Sequence, residues 1–372
     1  MMRVGLIIFG SLDTLTGGYL YDRRLLEHLR SHGDQTRVVS LPLRTYPRHL
    51  ADNFSPSLAR RLASERFDVL VQDELNHPSL VMLNRWLRAQ TGYPIVALVH
   101  LLRSSERQAS LLRHAYAAVE GRYLGTVDAA IFNCHTTRQA AESLIGRAIP
   151  GVVAYPGGDH MRVQLTEAEV AARARTAGPL RVVSIANVVP GKGLHDLVTA
   201  LASLPTESWR LTVAGSLTID RLYVKRLRYL IGRLGLGANV HLLGSVPNQR
   251  VAEHLGRSHV LALPSSYEAV GIAYLEAMRF GLPVIATSAG GAREVVDDGR
   301  EGFFVAPGDV QALSEYLHLF VIDRELLLRM GIAARRRAAR HPTWDESFRC
   351  VRELLSCLVT SRQRRGREET SL

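Results

Sequence analysis

Short apolar runs recur along the chain, each followed by a stretch in which apolar and polar positions alternate at helical spacing. In the first half the runs are VGLIIF, TRVVSL, DVLVQD, PIVALVH, AAIFN and GVVAYP. In the second half they are LRVVSIA, RLTVAG, VHLLG, VLALP, PVIAT and FFVAP. Runs of about four to seven apolar residues bounded by turn residues fit strands buried on both faces. Intervening helices imply right-handed βαβ units and parallel sheets. The pattern therefore predicts an α/β chain of two doubly wound, Rossmann-like domains. The first spans 1–165 and the second 178–342. A C-terminal helix over 343–372, ending in a frayed basic tail, crosses back to the first domain. Ligands in such folds bind beyond the C-terminal ends of the strands, so the cleft between the domains is the expected site.

The chain has 372 residues, enough for two domains, and 47% of them are hydrophobic. No apolar stretch reaches the roughly 20 residues of a spanning helix, and the opening run is too short for a secretory signal. A cytoplasmic protein is expected. The formal charge is +11, carried almost wholly by arginine, with Lys192 and Lys225 the only lysines. Such a surface attracts phosphates or anionic lipid. Nucleic acid is not expected as a partner, because aromatics are only 6% and no groove-reading motif is present. Cys134, Cys350 and Cys357 form no CxxC pair and read as buried free thiols.

The segment from Pro264 to Asp309 carries the densest candidate chemistry. Glu268 ends the loop after VLALP, and Glu276 follows with seven residues between them. Eight helical positions rise about 12 Å, so one carboxylate sits at a helix start and the other further along the same face. Val270, Gly271 and Ile272 supply backbone N–H groups at that helix N-terminus, which suits phosphate or an electron-rich sugar oxygen. Carboxylates beside such a site suit vicinal hydroxyls of a sugar or ribose.

Glu276–Ala277–Met278, Gly281–Leu282–Pro283–Val284 and Gly290–Gly291 through Glu294–Val295 complete the run. In this order it resembles the signature of the retaining GT-B glycosyltransferases of the group 1 family, and the likeness covers nearly the whole chain. The resemblance implies transfer of a hexosyl group from a nucleotide-diphosphate sugar, such as a UDP- or GDP-sugar, to an acceptor hydroxyl with retention of configuration. It implies no cofactor and no metal, in keeping with the lack of any D-x-D motif. Gly17–Gly18, at the first strand–helix junction, matches the family's phosphate loop on the acceptor side. His100, ending PIVALVH, matches the histidine beside the donor sugar. Lys192 matches the lysine that meets the diphosphate, and Ser245–Val246 the turn that faces the base.

One departure stands out: Asn187 occupies the position of the family's usual arginine. Either another arginine replaces it, Arg103 or Arg293 being candidates, or donor binding is weaker or the donor unusual. The mechanism implied has Lys192 and the N–H groups near Gly271 stabilising the leaving diphosphate, Glu276 accepting ribose hydroxyls, Glu268 orienting sugar hydroxyls and His100 touching the sugar. Other readings of the same residues are a nucleotide-sugar epimerase of GT-B fold and, further off, a nucleic-acid-binding protein.

Three further segments lie outside the signature. Gln72 to Pro78 reads as an acceptor-side loop or a structural turn, with Glu74 and His77 a poor start for a metal site. Thr136 or Thr137 is expected to cap a helix. Arg103 to Arg122 reads as a basic amphipathic helix. It suggests at most a weak peripheral contact with anionic lipid at the inner face of the membrane. The acceptor itself is not legible.

Overall fold

A computed structural model describes residues 1–106, 109–161, 163 and 165–370, the last six of these in backbone only. The chain forms two compact units. Met1–Pro156 and the segment from Trp344 onward make the first, and Gly157–Thr343 the second.

The first unit is built on a parallel sheet of β1 (Arg3–Phe9), β2 (Gln35–Leu41), β3 (Val69–Asp73), β4 (Ile95–Val99), β5 (Ala129–Phe132) and β6 (Gly151–Val153). Their order is β2-β1-β3-β4-β5-β6. The interior strands β3, β4 and β5 are buried at every position, whereas edge strand β2 alternates. That difference is why the interior runs are dominated by apolar residues, with Gln72 and Asp73 at the end of β3 the buried polar exceptions. The second unit holds β7 (Leu180–Ile185), β8 (Trp209–Ala214), β9 (Val240–Gly244), β10 (Val260–Leu263), β11 (Val284–Thr287) and β12 (Gly302–Val305). Its order is β12-β11-β10-β7-β8-β9, again all parallel. This is the expected pair of doubly wound sheets.

In each sheet the winding reverses once. The reversal falls between β1 and β3 in the first unit and between β7 and β10 in the second. At such a point the loops leave in opposite directions, and a crevice opens at the strand C-termini. In the first unit the segments at the C-terminal ends of β1 and β3 carry Gly17–Gly18, at the start of the following helix, and Asp73–Glu74. In the second, those beyond β7 and β10 carry Asn187–Lys192 and Pro264–Glu268.

The helix Trp344–Thr370 packs on helix Gly17–Ser31 of the first unit. Trp344, Phe348, Val351 and Leu355 recur at helical spacing and are all buried. Trp344 and Phe348 meet the Tyr21 ring edge-on at 5.5 and 5.0 Å. Arg352 Nε donates to the buried Asp34 carboxylate at 2.7 Å, and Asp34 also accepts from the Met2 N–H. By contact the first unit runs to Pro156, and helix Glu167–Arg175 belongs to the second. Val170 and Ala174 on that helix join the second unit's core, which is what fixes it there.

Several local expectations change. Helix His135–Ile145 is capped by Cys134, whose sulfur accepts from the Thr137 N–H, and not by either threonine. Cys134 is buried, but Cys350 is half-buried and Cys357 exposed. Arg103–Ser105 is a single tight turn and the following helix is Ser110–Leu124, so no continuous helix runs from 103. Arg107 lies outside the described residues.

Candidate active site

In the second unit, the loops leaving β7 and β10 are drawn together. Ser266 N–H donates to the Gly191 carbonyl at 2.8 Å. Gly193 has φ +64°, and a Cβ there would sit 2.1 Å from the Pro264 carbonyl oxygen. Only glycine meets both demands. The approach sets Lys192 Nζ 2.5 Å from Glu268 Oε1, which also accepts from Ser265 Oγ at 2.6 Å. Glu268 is further held through its backbone, pairing with Gly290 and accepting from the Gly291 N–H. So the structure brings Lys192 and Glu268 into one charge-assisted contact at the topological switch point.

Helix Ile272–Arg279 starts immediately beyond. Its N-cap, Gly271, has φ +85° and no side chain to cap the first turn. A Cβ there would fall 2.2 Å from the Tyr274 ring. Tyr274 is buried, and its hydroxyl donates to the Leu263 carbonyl at 3.0 Å while accepting from the Thr287 N–H. This staples the helix beneath β10 and β11. The N–H groups of its first turn, with Val270 and Ile272 on either side of Gly271, begin beside Glu268 in sequence and structure. Glu276 lies on this helix, and its Oε1 is 2.9 Å from His160 Nε2. The histidine was not foreseen. It follows Gly157–Gly158–Asp159 at the start of the second unit.

Asn187 Oδ1 accepts from the Ser216 N–H at 3.0 Å, tying the loop after β7 to that after β8. Arg293 stacks its guanidinium 4.4 Å from the Phe304 ring centre, and Arg103, in the first unit, lies over Tyr46 and Tyr116. Ser245 and Val246 follow β9 at the sheet edge, Ser245 exposed and Val246 half-buried.

In the first unit, Thr16 caps helix Gly17–Ser31 by accepting from the Tyr19 N–H, so Gly17 and Gly18 form its first turn. A Cβ on Gly18 would meet the His100 ring at 3.4 Å, which places this turn against His100. His100 Nε2 is 2.9 Å from Asp22 Oδ1, and Asp22 is fully buried. The His100 carbonyl accepts from Asn133 Nδ2. Asp73 completes the group, with the three residues' polar atoms within 4.8 Å of one another. Burial and then the Asp22 charge push the Asp73 carboxyl up. Burial works against a charged His100, but Asp22, then Asp73 and Glu74, outweigh it and raise its pKa above the ordinary value. Sequence reasoning missed Asp22 and Asp73. The available signal was an acid inside the buried stripe Tyr21, Asp22, Leu25, Leu26 and Leu29.

Glu74, His77 and Glu120 make a second buried group beside the first. It is not the isolated Glu–His pair the sequence suggested, because Glu120 arrives from helix Ser110–Leu124. Burial lowers the His77 pKa to about 4, so the ring is neutral. His77 Nδ1 then donates to the Glu74 carbonyl, and Nε2 accepts from the Tyr46 hydroxyl. Burial pushes the Glu74 carboxyl up to about 8. With both ring nitrogens of His77 used, this group is a poor host for a metal ion.

The family described as "Glycosyl transferases group 1" matches residues 166–337, and "Glycosyl transferase 4-like domain" matches 13–157. The D-inositol 3-phosphate glycosyltransferase of Streptomyces avermitilis is 30% identical over 303 residues, 76% of this chain and 64% of that protein. The enzyme of the same name from Xylanimonas cellulosilytica is 30% identical over 291 residues, covering 72% and 69%. The chain thus spans about two-thirds of the length of these relatives. Sucrose-phosphate synthase from Thermosynechococcus elongatus superposes with a TM-score of 0.82 at 19% identity, over 97% of this chain and all of that one, and so shares the fold.

Proposed function

Because the chain belongs to the glycosyl transferases group 1 family, with the GT-B fold, we propose that it transfers a glycosyl group from a nucleotide-diphosphate sugar to an acceptor hydroxyl. In this reading the anomeric configuration is retained and no metal ion takes part. The observation that carries it is the Lys192–Glu268 contact at the switch point of the second unit, beside the uncapped start of helix Ile272–Arg279.

The chemistry follows from charge. As the bond between C1 and the diphosphate oxygen breaks, the electron pair leaves with the diphosphate. Lys192 and the N–H groups at Val270, Gly271 and Ile272 are fixed donors for that growing charge. Glu268 orients sugar hydroxyls and, by pairing with Lys192, keeps the ammonium in place. Glu276, held by His160, accepts hydroxyls of the nucleotide ribose. The turn at Ser245–Val246 takes the base. His100, beside Gly18, contacts the transferring sugar. The acceptor oxygen bonds to C1 from the face the diphosphate leaves, and its proton passes to a departing phosphate oxygen.

A weak contact with anionic lipid belongs to the same proposal. No helix among the described residues is long and apolar enough to cross a membrane. Besides residues 103–122, helix Arg221–Arg233 offers a surface for such contact. Its exposed side carries Lys225, Arg226 and Arg228 around Leu222 and Tyr229.

The test is a panel of UDP- and GDP-sugars, scored by thermal shift and by slow donor hydrolysis, with and without candidate acceptors. At least one donor should stabilise and be hydrolysed by the wild type. Lys192→Ala should keep its fold and lose turnover. No response to any nucleotide sugar would overturn the reading.

A further inference from the structure

We propose that Asp22 is a positioning residue: its carboxylate, with the Asp73 carboxyl behind it, holds His100 as an imidazolium whose Nδ1–H is the one donor that ring offers a ligand. This rests on the reading that His100 contacts substrate.

Three observations meet here. His100 Nε2 is committed to Asp22 Oδ1 at 2.9 Å, and among the described residues Nδ1 makes no hydrogen bond. The ring lies against Gly18 at the start of helix Gly17–Ser31, at the C-terminal end of β4, where the fold presents residues to ligands. Asp22 and Asp73 each keep one buried oxygen, Oδ2, with no partner. Two buried carboxylates that close do not both stay ionised without help. One cation and one proton satisfy the group: His100 charged, Asp22 ionised, Asp73 neutral. The groups facing His100 are Asp22 from its helix, Asp73 and Glu74 from the turn after β3, and the Tyr21 ring edge-on at 5.0 Å. Among the groups that raise His100, the Asp22 charge and hydrogen bond come first, as this arrangement requires.

Without the Asp22 charge the ring loses a proton. If Nε2–H still bonds an asparagine oxygen, the bare nitrogen is Nδ1, and a donor becomes an acceptor. The ring stays where it is, yet it no longer gives a hydrogen bond to a sugar oxygen.

The experiment follows the ¹⁵N imidazole shifts of His100 with pH, in enzyme free of substrate, for wild type, Asp22→Asn, Asp22→Glu and Asp73→Asn. His100→Gln identifies the signal. Wild-type His100 should stay doubly protonated through neutral pH, and Asp22→Asn should lose a ring proton near or below about pH 6.5. Asp22→Glu should restore much of the wild-type behaviour. Asp73→Asn, which below about pH 7 replaces a protonated acid by a neutral amide, should leave His100 charged in that range. In turnover at pH 7.5, Asp22→Asn should lower kcat at least about tenfold, the ratio set by one pH unit above the new pKa. The basic limb of its pH profile should move to lower pH, with KM little changed. Unaltered His100 titration in Asp22→Asn, or discharge of His100 below about pH 7 in Asp73→Asn, would overturn the proposal, as would an altered titration with unchanged turnover. If no donor is turned over by the wild type, the functional reading fails. The titration then still decides what Asp22 does to His100.

Discussion

Lys192 is one of two lysines in a chain that uses arginine everywhere else, and the structure puts it against Glu268. A compact ammonium at the end of a flexible stem can pass from a carboxylate to a phosphate without rebuilding a planar fork. Lys192→Ala should therefore raise the barrier by about 2–4 kcal/mol, seen as a fall in kcat with the melting temperature nearly unchanged. The buried titrating groups make a different prediction. Glu74, raised to about 8, and His100, raised above the ordinary imidazole value, both bind a proton in the fold that the unfolded chain gives up. Each contributes stability that is complete below its unfolded pKa and is lost as pH rises through its folded one. His77 is depressed to about 4 and works the opposite way, losing stability as pH falls from its ordinary value. Between roughly pH 4.5 and 6.5, Glu74 and His77 offset each other. From there to about pH 8 only the losses remain. Thermal melts should show stability declining over that upper range, and less steeply in Glu74→Gln. An equal slope in both proteins would show that Glu74 is ionised in the fold.

Elements differed in how much of them could be read in advance. The strands were legible because the interior runs are buried and mostly apolar, despite Gln72 and Asp73 in β3 and Ser184 in β7. The start of helix Ile272–Arg279 was legible because Gly271 marks it, and the structure shows why glycine is needed there: the φ of +85° and the Tyr274 ring both exclude a Cβ. Gly271→Ala should destabilise the second unit by about 1–3 kcal/mol in urea melts and slow turnover at temperatures where the variant is folded. What the pattern hid was contact between distant segments. Glu276 looked like an open carboxylate, but His160 arrives from a stretch with no periodicity to announce it. Asp22 looked like one more polar residue on a helix, because nothing in its neighbours points to a histidine 78 positions away. The basic stretch from Arg103 promised one helix, yet Arg103 is drawn onto Tyr46 and Tyr116 instead of lining up with Arg113. Sedimentation with anionic vesicles at low salt should be reduced by charge reversal at Lys225, Arg226 and Arg228. Binding that is indifferent to those changes would remove that helix from the lipid contact.

For the molecule as a whole, activity should persist in excess EDTA, since the proposed stabilisation of the diphosphate is carried by Lys192 and backbone N–H groups. Loss on chelation and recovery with magnesium or manganese would refute that part of the reading. The way the chain is divided between its two units has another outcome, in the order of its synthesis. The helix from Trp344 completes the first unit, covering Tyr21 with Trp344 and Phe348 and meeting Asp34 with Arg352. The second unit is continuous, from Gly157 to Thr343. A ribosome therefore releases everything the second unit needs before the first is whole. Between Pro156 and Trp344 the ribosome adds the whole of the second unit, which at about 5–20 residues per second takes roughly 10–40 s. During that time the nascent first unit exposes the face of helix Gly17–Ser31 on which the last helix later docks. Stalled chains ending near Thr343 should be cut by protease within the first unit sooner than within the second, and Phe348→Ala, a loss of about 3–5 kcal/mol of packing, should prolong the vulnerable state in chains that are otherwise full length.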